Sequence, residues 1–509
     1  MSQPAQQLRL ATRGSLLAVA QSRQIAAALM ASNPGLEVSL KLITTRGDLN
    51  LSTPLQSVTD ADFFSAEIDQ AILAGDADFA VHSRKDLNIR PAGLMTAAIP
   101  TRANPRDVIL FRAETPARLR AGKPIRIGSS SARREVNVRR FLRKALPRLG
   151  PDPVLTFQSL RGPVEQRITH LHANPDSKDG LDAVVIALAG LERLWADEDG
   201  RVVLQPLLSG LRWMLTPLSE CPTAPGQGAL VLECRAGDNK VEATLAKLND
   251  AATATAVGAE FAATGQACPA IDGSLGATAI TVPELGTVLF ARSRDQADLA
   301  ALNWTQPEAP AQARGWDGAD WTRACQRRRL PIAWDDCAQP ALFVAHWHAL
   351  SNNSPALENR RIWVSGLTSW QHLAALGIWV EGCADGLGFD SLRDTLSTPV
   401  LQLPALTHWA VLTRAGAEES WADSGLGQIV ATYALETPVD SALTQIRATA
   451  RQATHFFWGS REQYLALRDC LPRTAEHACG SGKTLRALRD MGEQPRVFPN
   501  RKAWRRWLA

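Results

Sequence analysis

Long apolar runs, a secretory leader and paired cysteine motifs are all missing from this sequence. No stretch approaches the ~18 consecutive apolar residues of a membrane span, so no membrane partner is expected. Residues 1–7 are polar and lack the charged and apolar regions of a signal peptide. Eight cysteines are present but none forms a CxxC pair, which argues against a metal site. Together these absences predict a cytoplasmic protein with reduced thiols and no metal.

An excess of charge of one sign is also missing. Lys and Arg number 55 against 51 Asp and Glu, which gives a net charge of +4. A nucleic-acid-binding protein concentrates its basic residues on one face, whereas the arginine-rich segment 133–148 alternates them with apolar core positions. The composition therefore argues against a nucleic-acid partner.

The chain is long enough for several domains. Its 509 residues exceed the ~250–300 beyond which a single core stops growing. Hydrophobic residues make up 45% and charged residues 21%, an ordinary balance for a globular protein. Thirteen of the fifteen tryptophans lie after residue 300, which predicts a separate C-terminal module. Residues 309–318 (APAQARGWDG) are typical of a loop.

Strand-like and helix-like segments alternate through the first 230 residues. The pattern predicts strands at 8–11, 37–44, 78–82, 125–128 and 182–188, and helices at 15–30, 67–73 and 132–146. Such alternation is typical of an α/β fold with mostly parallel sheets. Residues 238–263 are predicted to be largely helical and 277–291 to form two strands around a turn, which indicates a small α+β domain.

Arginine and serine recur where a predicted strand gives way to a helix. The pattern occurs at Arg13-Gly14-Ser15, at 128–134 (GSSSARR), at 159–162 (SLRG) with Arg167 beyond it, and at Arg193. Helix N-termini hold anions, arginine forks bind carboxylates, and ligands of open α/β sheets lie at the carboxyl ends of strands. The pattern therefore predicts a cleft for a ligand with many carboxylates. The alternative for any single motif is an ordinary helix cap beside a surface arginine.

A second candidate is the segment His82-Ser83-Arg84-Lys85-Asp86 at the end of the predicted strand 78–82. An aspartate flanked by Lys and Arg can stay ionised and face a cationic or N–H-bearing substrate. The alternative is a solvated loop carboxylate.

Eight collinear motifs carry a family resemblance. They are LRLATRGSLLA (8–18), TTRGD (44–48), VHSRKD (81–86), NPRD (104–107), IGSSSARR (127–134), SLRG (159–162), LAGLERL (188–194) and PGQGAL (225–230). In order and spacing they resemble the hydroxymethylbilane synthase (porphobilinogen deaminase) family over about residues 8–330. The resemblance implies two periplasmic-binding-protein-like domains, a small α+β domain and a divergent α/β C-terminal module. The implied ranges are 1–105 with 200–224, then 106–199, 225–331 and 332–509.

The resemblance also implies an activity. Members of the family join four porphobilinogens into linear hydroxymethylbilane with release of ammonia, a step of tetrapyrrole (haem, sirohaem and cobalamin) biosynthesis. They carry a dipyrromethane cofactor tethered to a cysteine by a thioether, matched here by Cys268, and a catalytic carboxylate, matched by Asp86. Cofactor-binding positions are matched by Arg13, Ser15, Ser83, Lys85, Ser129, Ser131, Arg133, Arg134 and Arg161, and substrate-binding positions by Arg167, Arg193 and Phe64. A monomer acting on a small-molecule substrate is expected.

Three departures from the family pattern bear on this interpretation. The segment around Cys268 (GQACPAIDG) is shorter than the family's, and Ser57 and Ala61 replace two lysines of a mobile loop. The lysine losses lower the positive charge available to the growing chain. Pro163 replaces an asparagine, although proline suits a first helical turn. A catalytically impaired tetrapyrrole- or small-anion-binding protein on the same scaffold is therefore the alternative.

The C-terminal region carries a looser resemblance. Segments 456–467 (FFWGSREQYLAL), 479–492 (CGSGKTLRALRDMG) and 500–508 (NRKAWRRWL) are similar to the end of uroporphyrinogen-III synthase. The GSGKT sequence is not a P-loop, because His477 stands where the first glycine belongs. The resemblance implies that the module closes hydroxymethylbilane into uroporphyrinogen III. A structural or partner-binding module is the alternative.

Overall fold

The computed structural model describes residues 6–45, 65–87, 91–266, 274–293, 312–332, 334, 337–351, 357 and 359–509. These residues form two compact units. The first comprises those within Met1–Phe141, Gly150–Ala279 and Phe290–Ala300, and the second those within Leu142–Leu149, Ile280–Leu289 and Ala301–Ala509. Within the described ranges, no helix has the length and apolar character needed to cross a membrane.

Ten of the described strands build two sheets in the first unit. They are β1 (Gln6–Thr12), β2 (Leu36–Leu42), β3 (Phe79–Ser83), β4 (Leu94–Ala98), β5 (Asp107–Phe111), β6 (Ile125–Gly128), β7 (Leu155–Gln158), β8 (Ala183–Ala187), β9 (Arg212–Leu215) and β10 (Leu230–Arg235). The first sheet has the order β2-β1-β3-β10-β4 and the second β7-β6-β8-β5-β9. Each has three parallel strands followed by two antiparallel pairings. The α/β class is confirmed, and so is the expectation of mostly parallel sheets, because four of the five strands in each sheet run in the same direction and one, β10 or β5, runs against them.

Some of the helices of this part of the chain begin at a polar side chain that accepts a backbone N–H. The helices are α1 (Leu16–Ser32), α2 (Ala66–Leu73), α3 (Thr115–Arg120), α4 (Ala132–Ala145), α5 (Val164–Thr169), α6 (Leu188–Ala196), α7 (Glu198–Leu208), α8 (Asn239–Ala246) and α9 (Ala251–Gln266). The Ser15 side chain accepts a hydrogen bond from the Ala18 N–H, and Asp197 accepts one from the Gly200 N–H. Such caps satisfy N–H groups that a helix leaves without partners, so they fix where α1 and α7 begin.

The predicted elements of the first unit are confirmed with shifts of a few residues. The helical stretch predicted at 238–263 is divided into α8 and α9. The division lies at Asp250, whose carboxylate accepts a 2.6 Å hydrogen bond from the Thr253 N–H. This cap starts a second helix, whereas the periodicity of the sequence predicted a single continuous helix.

Two strands lie across the predicted domain boundaries. Residues 200–224 were expected with the first domain and 225–331 in the third, yet β9 pairs with β5 in the second sheet and β10 with β3 in the first. Their pairing buries Met214 and Leu232 completely. The boundaries at these strands are therefore wrong, because burial in a distant sheet decides where each strand pairs.

A short two-stranded sheet follows α9. It consists of β11 (Gly276–Val282) and β12 (Gly286–Arg292), as the sequence predicts. Glu284 lies in the turn between these strands and has a φ of 71°. Gly286 is the first residue of β12 and has a φ of 72°.

The second unit contains two further sheets. Its strands are β13 (Gly315–Trp316), β14 (Gln326–Arg329), β15 (Ala341–Val344), β16 (Arg361–Val364), β17 (Gly382–Cys383), β18 (Trp409–Arg414), β19 (Gln428–Glu436), β20 (His455–Trp458), β21 (Glu476–Gly480) and β22 (Arg496–Phe498). The order β14-β19-β18-β15-β16-β17 is parallel except for β14, and the order β13-β20-β21-β22 is parallel throughout. The helices are α10 (Ala319–Ala324), α11 (Leu367–Ala375), α12 (Arg393–Leu396), α13 (Asp440–Gln452), α14 (Arg461–Leu467), α15 (Lys483–Asp490) and α16 (Arg501–Leu508).

Aromatic side chains fill the core of the second unit. The Trp458 ring stacks on Phe456 with a centroid distance of 5.4 Å, and the Trp316 ring lies 5.3 Å from Trp458. The packing of Trp316 explains why Gly315–Trp316 forms β13, where the sequence predicts only a loop. The described residues after 301 belong to this one compact unit, together with Leu142–Leu149 and Ile280–Leu289.

Candidate active site

One cleft of the first unit lies where strands of both sheets end. Its lining comes from residues that follow β1 and β3 in the first sheet and β6, β7 and β8 in the second, and it holds about 1260 Å³ of empty space, open solvent included. Its basic residues are Arg13, Lys85, Arg134, Arg167 and Arg193. Among the described lining residues, Asp86 is the one carboxylate. Such a lining attracts a ligand that carries several negative charges.

The turn between β1 and α1 supplies Arg13 and Ser15 to the cleft. The Ser15 oxygen accepts the Ala18 N–H at 3.4 Å and thereby caps α1. Its hydroxyl hydrogen can still be donated to a ligand, and the positive end of the helix dipole favours an anion at the same place.

The turn after β3 supplies Ser83, Lys85 and Asp86. Arg84, between them, points its guanidinium over the Phe261 ring at 3.8 Å and donates to the Leu87 carbonyl at 2.8 Å. Asp86 is exposed to solvent. Burial lowers the pKa of Lys85, the charge of Arg134 lowers it further, and the neighbouring Asp86 opposes both. The turn thus presents a carboxylate and an ammonium group side by side.

Glycines let a second loop approach this turn. Gly226 has φ of 74°, and a Cβ there would lie 2.8 Å from Arg84 Cγ. Gly228 has φ of 84°, and a Cβ there would lie 2.6 Å from the Ala103 carbonyl oxygen. Only glycine fits both the space and the left-handed backbone at these positions.

The second wall carries three arginines on three consecutive helices. Arg134 lies in the first turn of α4 after β6, Arg167 on α5 after β7, and Arg193 on α6 after β8. Because the carboxyl ends of parallel strands meet at one edge of a sheet, the topology brings these side chains together.

A buried carboxylate holds the start of α4. Asp107 accepts hydrogen bonds from Arg134 Nη2 at 2.7 Å, from Arg133 Nη2 at 3.1 Å and from Gln227 Nε2 at 2.8 Å. Burial opposes ionisation of Asp107, but the two guanidinium groups outweigh it and hold the pKa of Asp107 well below its usual value. Asp107 is therefore an anion that fixes the direction of Arg134.

The arginines of the second wall are partly or fully desolvated. Burial lowers the pKa of Arg167 to about 10, the charges of Arg134 and Arg161 act in the same direction, and Asp86 acts against them. Burial also lowers the pKa of Arg193 to about 10, against the effect of Glu192. Both remain cations near neutral pH, and an anionic ligand would relieve the repulsion around Arg167.

Four predicted site residues do not line the cleft. Arg133 donates to Asp107 and to the Pro222 carbonyl. Ser129 accepts from the Ser131 N–H and Ser131 from the Arg134 N–H, so both hydroxyls hold the start of α4. Arg161 contributes to the field at Arg167 without lining the cleft. Pro163, which replaces a family asparagine, is the N-cap residue of α5.

Phe64 and Cys268 lie outside the described residues, as do the loop positions Ser57 and Ala61. Sequence reasoning assigned no role to Asp107, Gln227 or His82, although all three stand within the NPRD, PGQGAL and VHSRKD motifs. The motifs marked the segments, but the contacts of Asp107 depend on the pairing of β5, which no local pattern specifies.

The lining fits a dipyrromethane, whose acetate and propionate side chains are carboxylates. Arg134 Nε is buried and has no hydrogen-bond partner among the described residues. A guanidinium whose direction is fixed and whose Nε–H is still available as a donor suits carboxylate binding. The exposed Asp86 is an acceptor of the kind that pyrrole N–H groups require.

Comparisons with known proteins agree with this chemistry. The family model described as "Porphobilinogen deaminase, dipyromethane cofactor binding domain" matches residues 8–243. The porphobilinogen deaminase of Roseiflexus castenholzii is 39% identical over 258 residues, 50% of this chain and 75% of that protein. That of Sorangium cellulosum is 41% identical over 260 residues (50% and 76%), and that of Acidothermus cellulolyticus 37% identical over 303 residues (56% and 82%). This chain belongs to the porphobilinogen deaminase family.

Proposed function

We propose that this chain is a hydroxymethylbilane synthase that joins four porphobilinogens head to tail, releases ammonia and liberates the linear tetrapyrrole by hydrolysis with one water. The observation that carries the proposal is the cleft lined by five cations and one carboxylate at the strand ends of two sheets. Porphobilinogen and its oligomers carry two carboxylates on every pyrrole, so the charge of the cleft matches the substrate and the growing product.

The basic residues bind and orient these carboxylates. Arg134 is held by Asp107, so it meets a ligand without first losing rotamer freedom. Arg13 and Ser15 lie on the opposite wall at the start of α1. Binding on both walls aligns the reacting pyrroles, and such alignment supplies much of the rate of a bond-forming step.

Asp86 is the proposed catalytic carboxylate. The aminomethyl carbon of porphobilinogen becomes positively charged as ammonia leaves, and a carboxylate that accepts the pyrrole N–H stabilises that charge. The new carbon–carbon bond forms at a free pyrrole α-carbon, whose proton leaves. Asp86 can take that proton, which ends on the ammonia already released to give ammonium, so each addition is balanced.

The dipyrromethane cofactor supplies the free α-carbon on which the chain is built, and we propose Cys268 as its attachment point. Burial raises the pKa of Cys234 to about 11 and of Cys479 to about 12, and raises that of Cys221 well above its usual value. Buried thiols of this kind are poor nucleophiles, and the family resemblance places the attachment point at Cys268.

The intact mass of the full chain tests this assignment. The parent should exceed its sequence mass by two pyrrole units, and Cys268→Ser should lose that excess together with turnover. Cys325→Ser is the matched control, because Cys325 lies in the second unit, and it should keep both. A parent without the excess, even after incubation with porphobilinogen, would favour a binding protein on the same scaffold.

The two sheets of the first unit share one strand pattern, which supports two periplasmic-binding-protein-like domains in the proposal. Domain one then contains β1–β4 with β10, domain two contains β5–β9, and a third domain surrounds α9, β11 and β12.

The seven described cysteines are all free, as expected in the cytoplasm. A monomer with a small-molecule substrate and no nucleic-acid or membrane partner completes the proposal, and light scattering after gel filtration tests its mass.

The second unit has a candidate function of its own, ring closure to uroporphyrinogen III. Supporting it, Lys483 Nζ lies 2.8 Å from the centroid of the Trp421 ring and 3.3 Å from Ser420 Oγ, and Thr484 donates to the Gly459 carbonyl. Burial lowers the pKa of Lys483 to about 6. These polar groups meet where β20 and β21 end.

The isomer formed by the full chain from porphobilinogen tests ring closure. Chromatography of the oxidised product should give the type III isomer, and Thr484→Val should shift it towards type I. Type I alone from the parent chain would leave the second unit a structural or partner-binding module.

A further inference from the structure

Lys483, the first residue of α15, lacks the carboxylate partner that a half-buried lysine usually has. Its Nζ lies 2.8 Å from the centroid of the Trp421 ring and 3.3 Å from Ser420 Oγ. Within the part of the chain that the structure describes, no carboxylate oxygen lies within 4 Å of Lys483 Nζ. The amine therefore lies on an aromatic ring with a neutral hydroxyl beside it.

Asp390, the carboxylate whose charge acts on Lys483, is already paired with arginines. Its Oδ1 accepts a hydrogen bond from Arg393 Nε at 2.8 Å, and its Oδ2 lies 3.6 Å from Arg486 Nη2. Arg486 lies on the same helix as Lys483 and adds a positive charge of its own. Asp390 thus offsets only part of the positive charge around Lys483.

The position of Lys483 in α15 also disfavours a charged ammonium group. A helix carries partial positive charge at its N-terminus, which stabilises anions there and destabilises cations. Lys483 lies in the first turn of this eight-residue helix, and that turn contains no acidic residue. Burial lowers the pKa of Lys483 to about 6, the charge of Asp390 opposes this effect, and the charge of Arg486 adds to it. The side chain can therefore gain and lose a proton near neutral pH.

The indole ring beneath Lys483 is held in place by its own contacts. Trp421 is buried and packs against the rings of Phe343 and Phe389 at centroid distances of 5.5 and 5.7 Å. Its Nε1 donates a hydrogen bond to Thr413 Oγ1 at 3.2 Å. The surface on which the amine lies is therefore fixed before any ligand binds.

Lys483 and Ser420 come from different sheets and meet where strands end. Lys483 follows β21, and Ser420 belongs to the 3₁₀ helix Glu419–Ser424, which follows β18. The Thr484 hydroxyl donates to the carbonyl of Gly459, directly after β20. Ligands of α/β sheets lie at the carboxyl ends of parallel strands. Ser420 is exposed, so a ligand at this place can reach the amine.

We propose that Lys483 is the acid–base residue of the second unit, which gives a proton to the hydroxyl group that leaves hydroxymethylbilane during ring closure and takes a proton back afterwards. The inference rests on the ring-closure function proposed above for this unit. A group that titrates near the working pH is the most effective acid–base catalyst, because it holds a proton well enough to carry it and weakly enough to transfer it.

The proposed step balances in protons and electrons. The ammonium form of Lys483 donates a proton to the hydroxyl group, the carbon–oxygen bond breaks, and one water leaves. The pyrrole nitrogen supplies electrons to the carbon left behind, and a carbon of the ring at the other end of the chain attacks it. Once the new carbon–carbon bond is in place, the neutral amine takes the proton that the ring carbon loses. Lys483 thus ends in the form in which it began.

The titration of Lys483 in the full chain is the first test, and it does not require ring closure. Brief acetylation with acetic anhydride across a range of pH, followed by peptide mass spectrometry, should give a midpoint near pH 6 for Lys483. The exposed Lys144, labelled in the same samples, corrects for the behaviour of the reagent. A midpoint at the ~10.4 of an ordinary lysine would overturn the proposal. Absence of labelling at every pH would overturn it as well, because a substrate could not reach the amine.

Kinetics with hydroxymethylbilane supplied directly to the full chain are the second test. The kcat for the type III isomer should depend on pH with an apparent pKa near 6 in the parent. Lys483→Arg keeps a cation that cannot release its proton, so kcat should fall by at least about 100-fold, the pH dependence should disappear, and KM should change little. Lys502→Arg, at the other lysine of the second unit, is the matched control and should keep the parental rate and pH profile.

The outcomes separate the role of Lys483 from the function of the second unit. Type III isomer formed by Lys483→Arg at the parental rate would overturn the role of Lys483 and leave ring closure in place. Type I isomer alone from the parent would overturn both, even if the amine titrates near pH 6. The labelling of the parent needs no variant, so it decides the matter even if Lys483→Arg does not fold.

Discussion

At the scale of single residues, the adjacent Arg133 and Arg134 show what a motif leaves undecided. Both stand in the GSSSARR segment and both bind the buried Asp107, yet only Arg134 also lines the cleft. The sequence predicts carboxylate binding for both. Their different directions depend on where Asp107 lies, and the pairing of β5 with β8 and β9 sets that position.

Asp107→Asn should destabilise the first unit by about 3–5 kcal/mol, because two guanidinium groups would remain buried without their counter-ion. Urea unfolding of the full chain measures the loss. Glu135→Gln, which removes an exposed pair with Arg139 on the same helix, should cost no more than about 0.5 kcal/mol. Equal effects of the two substitutions would contradict the proposed importance of Asp107.

The same group predicts how stability depends on pH. The pKa of Asp107 is lowered in the folded state, so its stabilising effect is fully present above the unfolded pKa of about 3.9. It is lost as the pH falls from there towards the lower folded value. The difference in unfolding free energy between parent and Asp107→Asn should therefore be constant near neutral pH and narrow below about pH 4. A difference that changes between pH 6 and 8 would assign the effect to another group.

Asp86→Asn should keep the fold and the cofactor mass but lower kcat by at least about 100-fold, since it removes a charge at the reacting centre. Single-turnover release of ammonia measures the step. Asp76→Asn, at an exposed aspartate paired with Lys41, is the control and should be fully active. Near-normal turnover in Asp86→Asn would show that another group stabilises the charge.

At the scale of elements, local sequence patterns were sufficient to predict those helices and strands whose bounds depend on their own segment alone. The strand at 125–128 has the bounds that the sequence predicts, and α4 begins where the serine-rich turn ends. The partners of β9 and β10 could not be predicted, because each strand is short and joins a sheet whose other strands are distant in sequence. Likewise, α9 could not be separated from α8 without recognising Asp250 as a cap.

Gly228, in the loop between β9 and β10, and Gly237, just after β10, allow a matched test of close approach. Gly228→Ala and Gly237→Ala both place alanine at a φ near +85°, a strain of about 1–2 kcal/mol. A Cβ at position 237 meets nothing within 4 Å, whereas one at 228 would lie 2.6 Å from the Ala103 carbonyl oxygen. Gly228→Ala should therefore cost about 2 kcal/mol more in urea unfolding. It should also raise KM, because the Gly228 carbonyl accepts a hydrogen bond from Arg193.

At the scale of the whole molecule, the two units differ in their tryptophan content. Thirteen of the fifteen tryptophans fall in the range of the second unit. Fluorescence should therefore report unfolding of the second unit, while loss of porphobilinogen turnover reports the first. The two urea midpoints are expected to differ, and Trp195→Phe, in the first unit, should leave the fluorescence transition in place. Coincident midpoints would mean that the chain unfolds as one cooperative body.

The contrast between the cleft and the Asp107 cluster has a consequence for behaviour in salt. Mobile ions screen charges that water reaches, over a distance of about 8–10 Å near physiological ionic strength, but they hardly reach a fully buried group. Asp107 is 0% exposed, whereas Asp86 faces solvent. Added chloride should therefore weaken capture of the anionic substrate while the scaffold keeps its shape. Raising the ionic strength would then weaken the attraction between the cleft and its ligands, while the buried contacts of Asp107 with its arginines would stay intact.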